Sequence, residues 1–496
     1  MTDRGSLVAT SLLIFAVCCA QAAAQAPAKQ APAKQTPAKK PAAAASALAN
    51  PAASQAPPDL GTRKQGVDWP IFLGPTADSK SSERGILTKW PRKGLPIVWQ
   101  QRTGTGYGMP AISRGRLFEF ARFGDKARLT CHNSETGKEL WQFEYDTTYE
   151  DLYGYDNGPR CSPIVDEDRV YTFGAEGMLH CLRATDGKLL WKFDTAAKFA
   201  VAQNFFGVGS APVISGDLLI CQVGGSSDDT RNVAPGQLDK VRGKDSGVVA
   251  FDKRTGEVKY HVSDELASYA TPTLSKIDGR EWLFVFARGG LLGMDPASGK
   301  IDFHFPWRAK ILESVNASNP VVVNDLVLIS ETYGPGSAVL RVKPGDYDVV
   351  WSDAEKRRDK SLMTHWNTPV HHEGYVYGSS GRHTNEAELR CVELATGKVM
   401  WSEPGLTRSS LLYVDGHFVV LTEGGDVLLI RATPEKFDLV TFAQPEAADD
   451  GAQAADAPPR RLLNYPAWAA PILSHGLLYL RGKDRLVCVE LIPEKK

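Results

Sequence analysis

The side chains best suited to recognising a ligand recur in this sequence at one phase: Tyr107, Arg160, Gly209, Tyr269, Ala317, Trp366, Arg408 and Trp468. Each lies three residues before the start of a hydrophobic strand, at Pro110, Pro163, Pro212, Pro272, Pro320, Pro369, Leu411 and Pro471. A position set only by packing converges on one residue type, whereas this one holds phenols, indoles, two guanidiniums and two small gaps. Neighbouring residues are polar or aromatic as well: Tyr155, Asp156, Asn157, Asn204, Phe205, Asn316, His365 and Asn367. Rings that stack beside groups that hydrogen-bond suit a planar or acidic ligand, or a peptide. Tyr107, Arg160, Tyr269, Asn316, Trp366, Arg408 and Trp468 are therefore the candidate binding residues. The competing reading is that the same side chains plug a channel and brace its loops.

Covalent and metal chemistry find less support. There is no Cys-x-x-Cys, no His-plus-carboxylate spacing of a metal site, and no general base beside an evident nucleophile. His371 and His372, adjacent in a strand, would point to opposite faces. Six cysteines lie beyond residue 24, and four of them, Cys131, Cys181, Cys391 and Cys488, share a phase at which other units carry Ala250 or Gly293. A position that accepts Cys, Ala and Gly is selected for small volume, so these are expected to be buried thiols. Cys161 and Cys221 are left as a possible pair. No catalytic and no metal-ligating residue is assigned.

What positions the candidate residues is a repeat. Gly177 to Asp194 reads as a strand, a turn at Thr185-Asp-Gly-Lys188 and a second strand. Cys131, Gly137 and Trp141 recur at identical offsets as Cys181, Gly187 and Trp191, as Ala250, Gly256 and Tyr260, as Gly293, Gly299 and Phe303, and as Cys391, Gly397 and Trp401. With the eight upstream strands, this makes four short strands per period of roughly 40–60 residues, the pattern of propeller blades. The recurrent aromatics Trp99, Trp141, Trp191, Tyr260, Phe303, Trp351 and Trp401 are expected to fill the gaps between sheets. The last repeat stops after Cys488-Val-Glu-Leu491, one strand short, and Pro96-Ile-Val-Trp99-Gln supplies a strand before the first. The fold class expected is all-β: an eight-bladed propeller of four-stranded antiparallel blades, closed by an N-terminal strand that leaves no open edge.

The rest of the chain divides around that ring. Arg4 followed by the apolar run Leu7 to Ala20 and the small residues Ala22-Ala-Ala24 read as a secretory signal over 1–24, too short for a membrane span. Cys18 and Cys19 fit a lipidation signal poorly. Residues 25–66, with Ala26-Pro-Ala-Lys-Gln30 and its near-repeats, cannot bury a core and read as a spacer tethering the propeller of 67–496. The Asp228, Asp229, Asp239 and Asp245 insertion reads as a solvated loop, and 445–466 as a flexible connection. A net charge of −1 gives no case for nucleic acid.

The units Cys181-Leu-Arg-Ala-Thr-Asp-Gly-Lys-Leu-Leu-Trp191 and Ala250-Phe-Asp-Lys-Arg-Thr-Gly256 resemble the pyrroloquinoline-quinone-type β-propeller repeat family. The segments Gly154 to Arg160, Phe305-Pro-Trp-Arg308 with Ser314 to Asn316, and Leu389 to Lys398 are similar to its secreted bacterial branch. The resemblance spans roughly 69–492 and implies two kinds of relative: quinoprotein alcohol dehydrogenases, and the propeller lipoprotein that acts as a scaffold in outer-membrane barrel assembly. The first kind implies adjacent cysteines over the quinone, a calcium ion and an Asp base; beyond residue 24 no two cysteines here are adjacent, and no calcium set can be placed. The expectation is a secreted, periplasmic or envelope protein that binds a protein, peptide or envelope component, with no cofactor. The alternative is an alcohol or sugar dehydrogenase using pyrroloquinoline quinone with calcium.

Overall fold

The computed structural model describes residues 56–230, 232–446 and 461–494. The signal segment 1–24, the spacer up to residue 55 and most of the 445–466 connection lie outside them. The described chain forms eight four-stranded blades, 111–146, 164–194, 213–262, 273–306, 321–352, 370–404, 409–443 and, for blade 8, 472–490 with Ile97–Arg102; blade 7 gains a fifth, two-residue strand at Lys80–Ser81. Trp99 pairs with Cys488, so the eighth sheet is completed by a strand from before the first blade, as the sequence implies.

Within each blade the two middle strands are buried on both faces, and their side chains alternate between neighbouring blades. In blade 3, Leu219, Cys221, Val249 and Phe251 pack against blade 2, while Ile220, Val248 and Ala250 pack against blade 4. The hydrophobic core therefore lies between sheets.

A second contact fixes the spacing of the blades. In every blade the pairing of the third and fourth strands slips by one residue, in all but blade 7 just before the recurrent aromatic, as between Leu189 and Trp191 or between Ile97 and Trp99. Such a bulge raises the local twist and turns the ring toward the next blade. The ring lands on that blade's turn glycine: Trp141 on Gly187, Trp191 on Gly256, Trp351 on Gly397. Gly187 has φ +71°, and a Cβ there would lie 2.5 Å from the Trp141 ring, so the turn is glycine for two reasons. The ring's polar atom then donates to a backbone carbonyl of the next blade: Trp99 to Ser134 (2.8 Å), Trp191 to Lys253 (3.1 Å), Tyr260 to Pro296 (2.7 Å), Trp351 to Leu394 (2.8 Å).

Opposite the rings, except Trp351 which faces Val339, is the small residue of the repeat. Cys131 faces Trp141, Cys181 faces Trp191, Cys391 faces Trp401 and Cys488 faces Trp99. At Gly293 even a Cβ would sit 2.3 Å from the Phe303 ring. Blade 7 departs from the rule, pairing Leu429 with Thr441, the larger residue now on the inner partner strand. All six cysteines in the described residues are buried and free, including Cys161 and Cys221.

Residues before the closing strand do more than the sequence suggests. Leu60 N–H donates to Arg114 O, and the Arg63 guanidinium bonds Glu490, so fixed structure begins before residue 67. Trp69 exchanges both backbone bonds with Ile112, Val165 N–H donates to Pro70 O, and Lys80–Ser81 pairs in parallel with Tyr413–Val414. The outer edge of each innermost strand is taken by its own blade, so these bonds form on the channel side. Segment 69–81 thus lies along the channel-side edges of blades 1, 2 and 7, toward the end remote from the candidate residues.

The ring is also locked electrostatically between blades 8 and 1. Glu119 is 3 % exposed and accepts from Thr103 and Gln101, with His132 3.7 Å away. Burial pushes its carboxyl up, but the His132 and Thr103 hydrogen bonds and the Arg481 charge outweigh this and hold it below the usual carboxylate range.

Two outcomes are expected. Trp191→Ala should cost about 3–5 kcal/mol, and Trp191→Phe, which keeps most of the contact and loses the bond to Lys253, about 1 kcal/mol, read from urea unfolding midpoints. A depressed carboxylate stabilises above its unfolded pKa of about 4.3 and stops doing so as pH falls through its lower folded value. Acid unfolding below pH 4 should therefore be less steep in Glu119→Gln than in the parent chain.

Candidate functional site

The eight positions circle the open end of the channel, each on the loop entering an innermost strand. Three of the rings touch. Tyr107 and Trp468 have centroids 4.7 Å apart, and Trp468 and Trp366 4.8 Å. His365 continues the line from Trp366, and Tyr333 from His365. On the other side Tyr155 meets Trp468 edge-on, Tyr153 and Phe206 follow, and Tyr269 lies 5.5 Å from Phe206. The aromatic side chains form a belt around most of the mouth, interrupted at the small residues Gly209 and Ala317. Gly209 is where Tyr269 needs room, since a Cβ there would be 2.7 Å from its ring.

The guanidiniums lie beneath this belt. Arg408 makes a two-pronged ion pair with Glu423, with Nη2 to Oε2 at 2.7 Å and Nε to both oxygens at 3.1 Å, and stacks under Trp366 at 4.6 Å. Trp468 Nε1 donates to the same carboxylate (3.0 Å), so Glu423 ties together the rings of two blades. Arg160 bonds Asp151, whose side chain is fully buried, and its guanidinium lies 5.5 Å from the Tyr107 ring and 5.4 Å from Phe206. Both cations are thus neutralised from below and serve to hold rings.

Asn316 sits lower than the others. It is 1 % exposed, and its amide donates to the carbonyls of Ala287 (2.7 Å) and Trp307 (3.1 Å), which fixes the loop around it. The sequence brings Tyr107, Arg160, Tyr269, Trp366, Arg408 and Trp468 to one mouth and Asn316 to its supporting layer. It does not mark Asp151, Glu423, Tyr153, Phe206 or Tyr465. Tyr153 and Tyr465 are 48 % and 53 % exposed and Tyr155 is 61 % exposed, so the belt presents bare phenol rings to solvent.

Burial pushes the Tyr107 and Tyr269 phenols up, so they remain donors. Burial, reinforced by the Arg408 and Arg382 charges, takes His365 down to about 3, leaving a neutral imidazole. Burial raises the thiols of Cys131, Cys181 and Cys391 to about 12, far from a thiolate at neutral pH. Glu331, raised to about 7 by burial, is 1 % exposed, accepts from Ser314 and does not reach the mouth. Among the described residues no group of three or more His, Cys, Asp or Glu is placed to hold a metal ion.

The Asp-rich insertion corrects one expectation. It folds back over this face: Leu238 packs with Phe205 and Val315, and Asp239 pairs with Arg288 (3.2 Å) and Arg308 (2.8 Å). Asp229 pairs with Arg242. Apolar residues between the acidic ones anchor it, which a count of Asp residues does not register.

Fold and mouth together define an eight-bladed propeller with an aromatic-lined mouth. The PQQ_2 family, described as Outer membrane protein assembly factor BamB, matches residues 125–403, more than half of the chain, and the chain belongs to that family. The BamB crystal structure from Moraxella catarrhalis superposes with a TM-score of 0.53 at 13 % identity, covering 81 % of this chain and 99 % of that one. Quinohemoprotein alcohol dehydrogenase from Comamonas testosteroni gives a TM-score of 0.48 at 13 % identity, over 86 % of this chain and 81 % of the enzyme. The quinohemoprotein alcohol dehydrogenase ADH-IIG of Pseudomonas putida is 28 % identical over 83 residues, 17 % of this chain and only 10 % of that enzyme. These likenesses concern the blade and its repeat.

The Glu423 pair makes a spectroscopic prediction. Burial raises the Glu423 carboxyl, but bonds from Arg408 and Trp468 lower it further than burial lifts it. The pair is intact above the ordinary carboxylate range of about 4.3 and breaks as pH falls through the lower folded value. Indole emission should therefore change in a step below pH 4, and Glu423→Gln should abolish that step.

Proposed function

We propose that the chain is a non-catalytic binding module that holds an extended polypeptide across its aromatic mouth, working in the cell envelope or outside the cell. The observation that carries this reading is the belt itself: bare rings at Tyr153, Tyr155 and Tyr465, backed by indoles that ion pairs hold in place. Rigid aromatic surface offers large contact area at small entropic cost, which is how polypeptide side chains are gripped. Segment 69–81 bonds to the channel-side edges of blades 1, 2 and 7 at the far end, which favours entry from the mouth. Membership of a family described as an assembly factor agrees with a protein partner, and the sequence of 1–24 reads as a secretory signal. Among the described residues no helix is long and apolar enough to cross a membrane.

The mouth does not fit pyrroloquinoline quinone with calcium. Its two candidate guanidiniums are already neutralised by Asp151 and Glu423, and among the described residues no three or more His, Cys, Asp or Glu gather to supply the carboxylates of the ion's site. No chemical step is assigned through that group.

Peptides selected from a random displayed library on the purified chain provide the test. Tyr155→Ala and Tyr465→Ala, both exposed and harmless to folding, should each weaken the selected peptides about tenfold, while Leu189→Ala on the outer rim should leave them unchanged. Peptides indifferent to both tyrosine changes would place the binding surface elsewhere.

A further inference from the structure

Beside the mouth, beneath the 223–247 insertion, lies a cavity of about 650 Å³, within the size range of sites for small organic ligands. Pro235 and Leu238 of the insertion form part of its wall, so the insertion creates the space as it folds back. Val201, Ala202, Val223 and Leu266 make the wall largely apolar.

Its charge is one-sided. The ionisable carboxylates on the lining are Glu150, Asp151 and Glu176, and no Lys, Arg or His lines the cavity. Asp151 is neutralised by Arg160. Glu176 is held by neutral donors alone, the Tyr145 hydroxyl (2.7 Å) and the Thr147 hydroxyl (3.1 Å), so its negative charge is oriented but not cancelled. Room for the Tyr145 contact comes from Gly174, where a Cβ would lie 2.1 Å from Glu176 Oε1. Tyr149 supplies an independent sign of a missing partner. It is 6 % exposed, lines the cavity, and its hydroxyl, which lies beside the Arg160 guanidinium, meets no acceptor for its proton. A buried donor left unmade and a carboxylate left unpaired both cost stability that a complementary ligand would recover.

We propose that this cavity is a second ligand site, separate from the mouth, that takes a small molecule with an apolar body and an ammonium head. The ammonium group pairs with Glu176 and Glu150, the body lies against Val201, Ala202 and Leu266, and an acceptor on the ligand meets the Tyr149 hydroxyl.

Three probes with one ring and different heads separate the possibilities: phenethylamine, phenethyl alcohol and phenylacetate, titrated calorimetrically at pH 7 into the full chain. Phenethylamine should bind, the alcohol at least tenfold more weakly, and phenylacetate not at all. Glu150→Gln, at an exposed position, and Glu176→Gln should each weaken phenethylamine several-fold while leaving peptide capture at the mouth intact. Should Glu176→Gln fail to fold, Glu150→Gln and the head-group series carry the test by themselves. Equal binding of all three heads, amine binding indifferent to Glu150→Gln, or no binding of any probe at millimolar concentration would overturn the proposal.

Discussion

One contact sets the geometry of this molecule: an aromatic ring at the end of each blade's bulged outer strand, laid on the turn glycine of the next blade and bonded to its backbone. The β-bulge aims the ring, the small partner residue makes room for it, and the glycine lets it approach. The interaction is local in sequence on both sides, so a repeated unit can build a ring by meeting copies of itself. Where the ring lacks a donor or is lost, the structure substitutes. Phe303 packs against Tyr347 of blade 5. At Thr441 the boundary between blades 7 and 8 is covered by the N-terminal segment, through a cluster that includes Trp69, Leu73, Ile86 and Leu95.

Such a frame fixes eight loop ends around one opening and leaves their side chains free to vary. The variation is what makes the mouth a surface with character. Its aromatic belt depends on charges placed under it, since Glu423 holds Arg408 and Trp468 at once and Asp151 holds Arg160. Half-buried ion pairs of this kind orient neighbouring groups, and breaking one partner leaves a costly unpaired charge. The guanidiniums that look like ligand anchors in the sequence are structural supports, and the phenols of Tyr153, Tyr155 and Tyr465 are what the belt exposes to solvent.

The fold was legible because its signals are local and repeated. Cys, Gly and Trp at constant offsets fix strand, turn and strand, and the missing eighth outer strand points back to Trp99. The circle of mouth positions followed from the same count. What was not legible depends on contacts between segments with no common spacing. Glu423 follows the end of a hydrophobic strand and Asp151 sits in a loop; neither lies in a motif, and only folding brings them under Arg408 and Arg160. Asn316 has the composition of a binding residue, yet its depth comes from the loops around Ala287 and Trp307. The segment 69–81 enters the channel through backbone bonds, which leave no mark on side-chain pattern.

Closure of the ring by Ile97–Arg102 is the claim on which the mouth and both proposed sites depend. Comparing urea unfolding of chains that begin at residues 56, 88 and 103 isolates it, because the second lacks the channel segment but keeps the closing strand, and the third lacks both. A cooperative transition in the first two, with the chain from 88 somewhat less stable, and its loss in the chain from 103 is the predicted pattern. Unfolding of the chain from 103 that matched the chain from 88 in midpoint and steepness would contradict it.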